Sequence, residues 1–164
     1  MRVVVLADTH IRRGSSRRLP AAADAELAAA DVVLHAVDIV VGEVLEALAR
    51  HAPVHAVLGN NDVELAGRLP EDLVLELAGV RVGMVHDSGP RTGREGRLHR
   101  RFPDCDLVVF GHSHIPWDAP GLAGQHLLNP GSPTERRRQP QRTLATVDLD
   151  DGRIVSTRIV PLRA

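Results

Sequence analysis

The chain has 164 residues, 43% hydrophobic and 25% charged, with one cysteine. That is enough for one sizeable core, and it excludes wholesale disorder, a disulfide framework and a cysteine-based zinc site. The 20 basic and 21 acidic residues give a formal charge of −1, and aromatics are 2%. Neither a basic nucleic-acid surface nor a base-stacking platform is expected.

Val3 to Leu6 is a β-branched apolar run and reads as a buried parallel strand. At this length it is too short for a signal segment or a membrane span, so the expected location is the cytoplasm. It ends in Ala7-Asp8-Thr9-His10, and a polar, arginine-rich loop follows. Ala21 to Ala30 reads as a helix after Pro20, Val32 to His35 as a strand and Val44 to Arg50 as a helix. Val54 to Leu58 is a third strand that runs into Gly59-Asn60-Asn61-Asp62. This βαβαβ order predicts a parallel sheet with right-handed crossovers.

Leu73 to Leu77 and Val80 to Val85 flank Ala78-Gly79 as a hairpin that ends at His86. Gly93 to Phe102 reads as a basic helix, and Leu107 to Phe110 as a strand ending in Gly111-His112-Ser113-His114. Leu127-Leu128 leads into Asn129-Pro130-Gly131-Ser132, which reads as a structural turn. Leu144 to Leu149 and Ile154 to Val160 are alternating strands joined by Asp150-Asp151-Gly152. The chain reads as a single α/β domain over residues 1–164, with mixed strand direction late in the chain.

The apolar strands end at Asp8 and His10, Asp38, Asn60, His86, and His112 and His114. Sites in open α/β sheets form at the carboxyl ends of strands, so these groups can meet at one edge. Two carboxylates, an amide oxygen and four imidazoles suit divalent manganese, iron, zinc or a similar ion. Seven such ligands exceed one tetrahedral shell, and two ions sharing a bridging carboxylate fit better. Such a pair clamps phosphoryl oxygens during in-line displacement.

The blocks Asp8-Thr9-His10, Val37-Asp38, Gly59-Asn60-Asn61-Asp62, His86, Gly111-His112-Ser113-His114 and Asn129-Pro130-Gly131-Ser132 resemble those of the calcineurin-like metallophosphoesterase superfamily. Within it the likeness is to the small bacterial and archaeal phosphodiesterase group. The resemblance covers nearly the whole chain. It implies a four-layer α/β sandwich, two mixed sheets flanked by helices. It implies Asp8, His10 and His114 on one metal ion, Asn60, His86 and His112 on a second, and Asp38 bridging both. Asp38, Asn60 and His86 are the candidate catalytic residues within that set. The implied activity is phosphodiester hydrolysis by a metal-bridging hydroxide, with manganese as the expected ion and iron, nickel, cobalt or zinc as alternatives. The implied partner is a small-molecule phosphodiester, with homo-oligomerisation left open. A phosphomonoesterase and a non-catalytic scaffold of the same fold are the alternative readings.

The sequence departs from the family pattern at Val37, where glycine usually precedes the bridging Asp. It also has Asn61 where many family phosphatases carry a histidine that protonates the leaving group. Diesters with good leaving groups are therefore the expected substrates. Asn61, Arg12 and Arg13 are the candidate substrate-binding residues. His35, three residues before Asp38, is a candidate support for the metal ligands.

Overall fold

Residues 1–163 are described by the computed structural model. The first sheet contains β1 (Arg2–Leu6), β2 (Val32–His35), β3 (Val54–Ala56), β9 (Arg142–Asp150) and β10 (Arg153–Leu162), in the order β10-β9-β1-β2-β3. β1, β2 and β3 are parallel, while β9 runs antiparallel to both β1 and β10. The second sheet contains β4 (Asp72–Leu77), β5 (Val80–Val85), β6 (Leu107–Val109), β7 (Trp117–Pro120) and β8 (His126–Asn129), in the order β4-β5-β6-β8-β7. Its inner strands β5, β6 and β8 are parallel, and its edges β4 and β7 are antiparallel.

The period of two along each strand sorts side chains into layers. Val3 and Val5 of β1 and Leu34 of β2 face Val82, Leu107 and Val109 of the other sheet and form the central core. Val4, Leu6 and Val33 point outward onto α1 (Ala21–Ala28) and α2 (Gly42–Leu48), where they meet Ala23, Leu27, Val44 and Leu48. Val108, Phe110 and Leu127 point away from the centre on the second sheet and pack under Leu98 and Phe102 of α3 (Arg94–Arg101) and its end. The result is helix, sheet, sheet, helix, as the resemblance implies. Each fully buried aliphatic side chain contributes about 1.5–3 kcal/mol. Truncating Leu34 in the central layer should therefore cost about 2–5 kcal/mol.

Element bounds differ from the sequence reading by a few residues, and one strand is new. α2 begins at Gly42 rather than Val44, and β3 stops at Ala56 instead of Leu58. β7 was not expected, because Trp-Asp-Ala-Pro carries no apolar run; it is an edge strand, where proline is tolerated. The Ala78-Gly79 hairpin has positive φ at both turn residues, 48° and 82°, which matches the right-handed twist of its strands. No helix among the described residues is long and apolar enough to cross a membrane.

Candidate metal centre

Parallel pairing carries the ends of β1 and β2 to one edge, and the pairing continues past both strands. Ala36 N–H donates to the Leu6 carbonyl at 2.8 Å, Asp8 N–H to Val37 at 2.5 Å and His10 N–H to Asp38 at 2.8 Å. These bonds set Asp8 beside Asp38. On the second sheet Gly111 N–H donates to the His86 carbonyl at 2.9 Å. His112 N–H donates to Asp8 Oδ1 at 3.2 Å and so ties the two sheets together.

Close approach dictates two glycines. A Cβ at Gly59 would lie 2.3 Å from Asp38 Oδ1, and one at Gly111 would lie 2.7 Å from the Ala36 carbonyl. Asp8, His10, Val37, Asp38, His112 and His114 all have positive φ. Such a concentration of left-handed backbone marks a site where the surrounding fold holds a strained arrangement.

Two clusters result. Asp8, His10 and His114 offer ligand atoms within 4.8 Å of one another, and so do Asp38, His86 and His112. In the first, His10 Nε2 lies 3.1 Å from His114 Nε2, and Asp8 Oδ1 is 3.6 Å from His114 Nε2 and 3.9 Å from His10 Nε2. In the second, Asn60 Oδ1 lies 2.9 Å from His86 Nε2 and 3.1 Å from His112 Nδ1, and the two imidazole nitrogens are 3.1 Å apart. Asp38 Oδ2 stands between the clusters, 3.7 Å from His10 Nε2 and 3.5 Å from His86 Nε2.

The separations within the Asn60, His86 and His112 set and between His10 and His114 match the donor spacing of a metal shell, and those from Asp8 and from Asp38 to His10 lie up to 0.4 Å beyond it. With metal–ligand distances of about 2.0–2.2 Å, neighbouring donors sit about 3.0–3.5 Å apart. Asp8 Oδ2 is buried with no hydrogen-bond partner. A buried unpaired carboxylate oxygen wants a cation. Burial, reinforced by the Asp38 charge, pushes the Asp8 carboxyl up to about 8. Burial also keeps His114 neutral, its pKa lowered to about 4, and lowers that of His10. Neutral imidazole is the ligating form. The residues therefore fit two divalent ions with mixed oxygen and nitrogen ligands.

The candidate ligands are oriented from behind. The Nδ1 positions of His114 and His86 face the carbonyls of Glu135 and Ala36, at 2.7 and 3.1 Å, leaving Nε2 of each for the centre. Asn61 donates to Asp38 twice, from its backbone N to Oδ1 at 2.9 Å and from Nδ2 to Oδ2 at 2.7 Å. Burial raises the Asp38 carboxyl, but the Asn61 donors and the imidazoles of His86 and His10 outweigh it and hold it below the ordinary carboxylate range. Asn61 thus spends its amide on Asp38. The fully buried His35 accepts the Val37 N–H at Nδ1, 3.0 Å, and so supports the bend that presents Asp38.

Not every sequence candidate arrives here. Arg12 lines a cavity of about 350 Å³ with His10, Ser15, Arg17 and Glu135. Arg13 does not: its exposed guanidinium pairs with Glu43 at 2.5 Å and Glu64 at 2.9 Å, which neutralise it away from the ligands. Sequence reasoning gave no role to Asp62, which is buried and accepts the N–H groups of Val40 at 2.6 Å and Gly59 at 2.9 Å, locking the Asp38 loop to the Asn60 loop. Ser132 and Thr134 were likewise not foreseen as supports; their hydroxyls donate to the carbonyls of Asp8 and Thr9. Asn129 donates to the Gly111 carbonyl, so its turn is structural and braces both loops.

The model of the calcineurin-like phosphoesterase superfamily domain matches residues 1–152. A Thermotoga maritima protein solved in solution is 28% identical, with 98% of this chain and 99% of that chain covered and a TM-score of 0.73. The zinc complex of wild-type Vps29 from Entamoeba histolytica is 22% identical, covering 99% and 100% at a TM-score of 0.77. A Streptococcus pneumoniae protein described as a predicted phosphoesterase is 23% identical, covering 92% and 83% at 0.68. No match is found among curated proteins. With a match over nearly its whole length, the chain belongs to the calcineurin-like phosphoesterase superfamily.

Proposed function

We propose that the protein is a dinuclear metal-dependent phosphodiesterase acting on small-molecule phosphodiesters. The observation that carries this reading is Asp38 Oδ2, poised within 3.7 Å of a ligand atom from each cluster. In this reading Asp8, His10 and His114 hold one ion, Asn60, His86 and His112 the other, and Asp38 serves both. Two such ions supply Lewis acidity for the phosphoryl oxygens and lower the pKa of water in the site.

The chain's own groups do the rest. Asn61 fixes the Asp38 carboxylate from two directions. Arg12 beside His10 attracts the anionic substrate, while Arg17 is paired with Glu135. Asn61 is no proton donor of useful strength, so the leaving group must depart with little help. That favours diesters with acidic leaving groups over alkyl monoesters. We favour manganese on the mixed oxygen and nitrogen donor set.

The test is hydrolysis of bis-p-nitrophenyl phosphate by chelator-stripped protein, with and without manganese, beside Asp38→Asn. Manganese-dependent turnover that falls by about a thousandfold in the variant is expected. p-Nitrophenyl phosphate, the monoester, should be the poorer substrate. No turnover with manganese, nickel, cobalt or zinc would overturn the reading.

A further inference from the structure

Two cavities meet at Arg17. The smaller opens beside His10. The larger, about 760 Å³, is lined by Arg17, Arg18, Arg142, Arg163, Thr134 and the start of α1 among others. That volume falls in the range of about 300–1,000 Å³ typical of small-molecule sites. Arg17 Nη1 donates to Glu135 at 2.9 Å and to the His10 carbonyl at 3.3 Å, so it forms the wall between them.

Beyond that wall no carboxylate of the described residues lines the larger cavity. Arg18 Nη1 is held by the carbonyls of Ser15 and Arg17, at 2.6 and 2.9 Å, which fixes the guanidinium; its other N–H groups have no partner among the described residues. The ion pairs among the described residues do not involve Arg18 or Arg142. A neighbouring groove of about 380 Å³ continues the same arginines to Arg136. The chain as a whole carries a formal charge of −1, so this positive path is local. Beyond Arg17, a local run of guanidinium groups with no carboxylate partner among the described residues matches phosphate in charge and in bidentate geometry.

We propose that this groove binds a second, non-reacting phosphate of the substrate. The substrate class is then a phosphodiester that carries a further phosphate elsewhere, such as a nucleoside phosphodiester phosphorylated on its sugar. This rests on the phosphodiesterase reading. The scissile diester lies at the metal centre, and the distal phosphate reaches past Arg17 to Arg18 and Arg142. Binding energy from such a remote group positions the reacting one.

Two probes test it: thymidine 5′-(p-nitrophenyl phosphate) and the same ester with a 3′-phosphate. The 3′-phosphorylated ester should have a kcat/KM about tenfold higher, mainly through KM, and the advantage should shrink with added salt. In the double variant Arg18→Gln, Arg142→Gln the ratio of the two esters should fall to about one; the ratio cancels any general loss of activity. No preference in the native protein, or an unchanged ratio in the variant, would overturn the proposal. If bis-p-nitrophenyl phosphate is not turned over at all, the functional reading fails separately. Calorimetry with the same two esters then judges the groove: about tenfold tighter binding of the 3′-phosphorylated ester, lost in the variant, supports it, and equal binding overturns it. Inorganic phosphate that binds as tightly as the 3′-phosphorylated ester would assign the groove to a free anion, against the proposal.

Discussion

Asp8 and Asp38 follow neighbouring parallel strands and share left-handed backbone, with φ of 54° and 52°. Their carboxylates nonetheless sit in opposite environments. Asp8 is fully buried, receives one long backbone hydrogen bond from His112, and has an orphaned oxygen. Asp38 receives two short bonds from Asn61 and faces the imidazoles of His10 and His86. One carboxyl is pushed up by burial and the other is held down by donors. The centre is therefore asymmetric: the protein itself prepares Asp38 as an anion, whereas Asp8 relies on a cation to become one.

Next to the loss expected for Asp38→Asn, the larger effect within this comparison should follow from Asp8→Asn. Turnover should fall by about 10²–10³-fold through loss of the first ion. The metal-free protein gives the sharper test. The Asp8 pKa is about 8 in the fold against 3.8 for a free carboxyl. Its contribution to stability is therefore fully present below pH 4 and is lost as pH rises to 8. Asparagine does not titrate. The melting temperature of metal-free wild type should thus fall relative to Asp8→Asn across that window, by on the order of 5–10 °C. Manganese should restore the wild type and not the variant. Parallel melting curves for the two proteins across pH 4 to 8 would break the comparison.

A smaller effect is expected at Asn61→Ala. Asp38 then keeps the backbone donor at 2.9 Å and loses the side-chain donor at 2.7 Å. Metal affinity should drop about tenfold, as measured by titration of the stripped protein. Thermal stability should change by no more than about 1.5 kcal/mol. An affinity equal to wild type would mean that Asn61 does not prepare Asp38.

Much of this clustering was legible in the sequence, because each candidate ligand follows an apolar run and parallel strands bring such ends to one edge. His10 and His114 are 104 residues apart and still meet at 3.1 Å. The supports were less legible. Asp62, Ser132 and Thr134 act on backbone groups of other loops, and no local pattern names those partners. Arg13 misled for the same reason: its glutamates lie 30 and 51 residues away. β7 was missed because an antiparallel edge strand needs neither an apolar run nor every N–H.

The smallest effect concerns the residues that precede the two carboxylates. Ala7 leads into Asp8 without a positive φ, whereas Val37 leads into Asp38 at φ 88°. A β-branched residue in that region is strained by about 1–3 kcal/mol. Val37 is also fully buried in the central core, where its side chain contributes about 1.5–3 kcal/mol. The two terms nearly cancel, so packing can hold the strained backbone. Two variants separate them. Val37→Ala loses packing and keeps most of the strain. Val37→Gly loses the same packing and one carbon more, but releases the strain. Alanine normally exceeds glycine by about 0.5–1 kcal/mol. Here urea unfolding should find Val37→Gly at least as stable as Val37→Ala, with equal slopes. The usual order, alanine above glycine by the full margin, would mean that the bend before Asp38 stores no strain. The Asp38 loop would then differ from the Asp8 loop only in its hydrogen-bond donors, and Val37 would be an ordinary core residue.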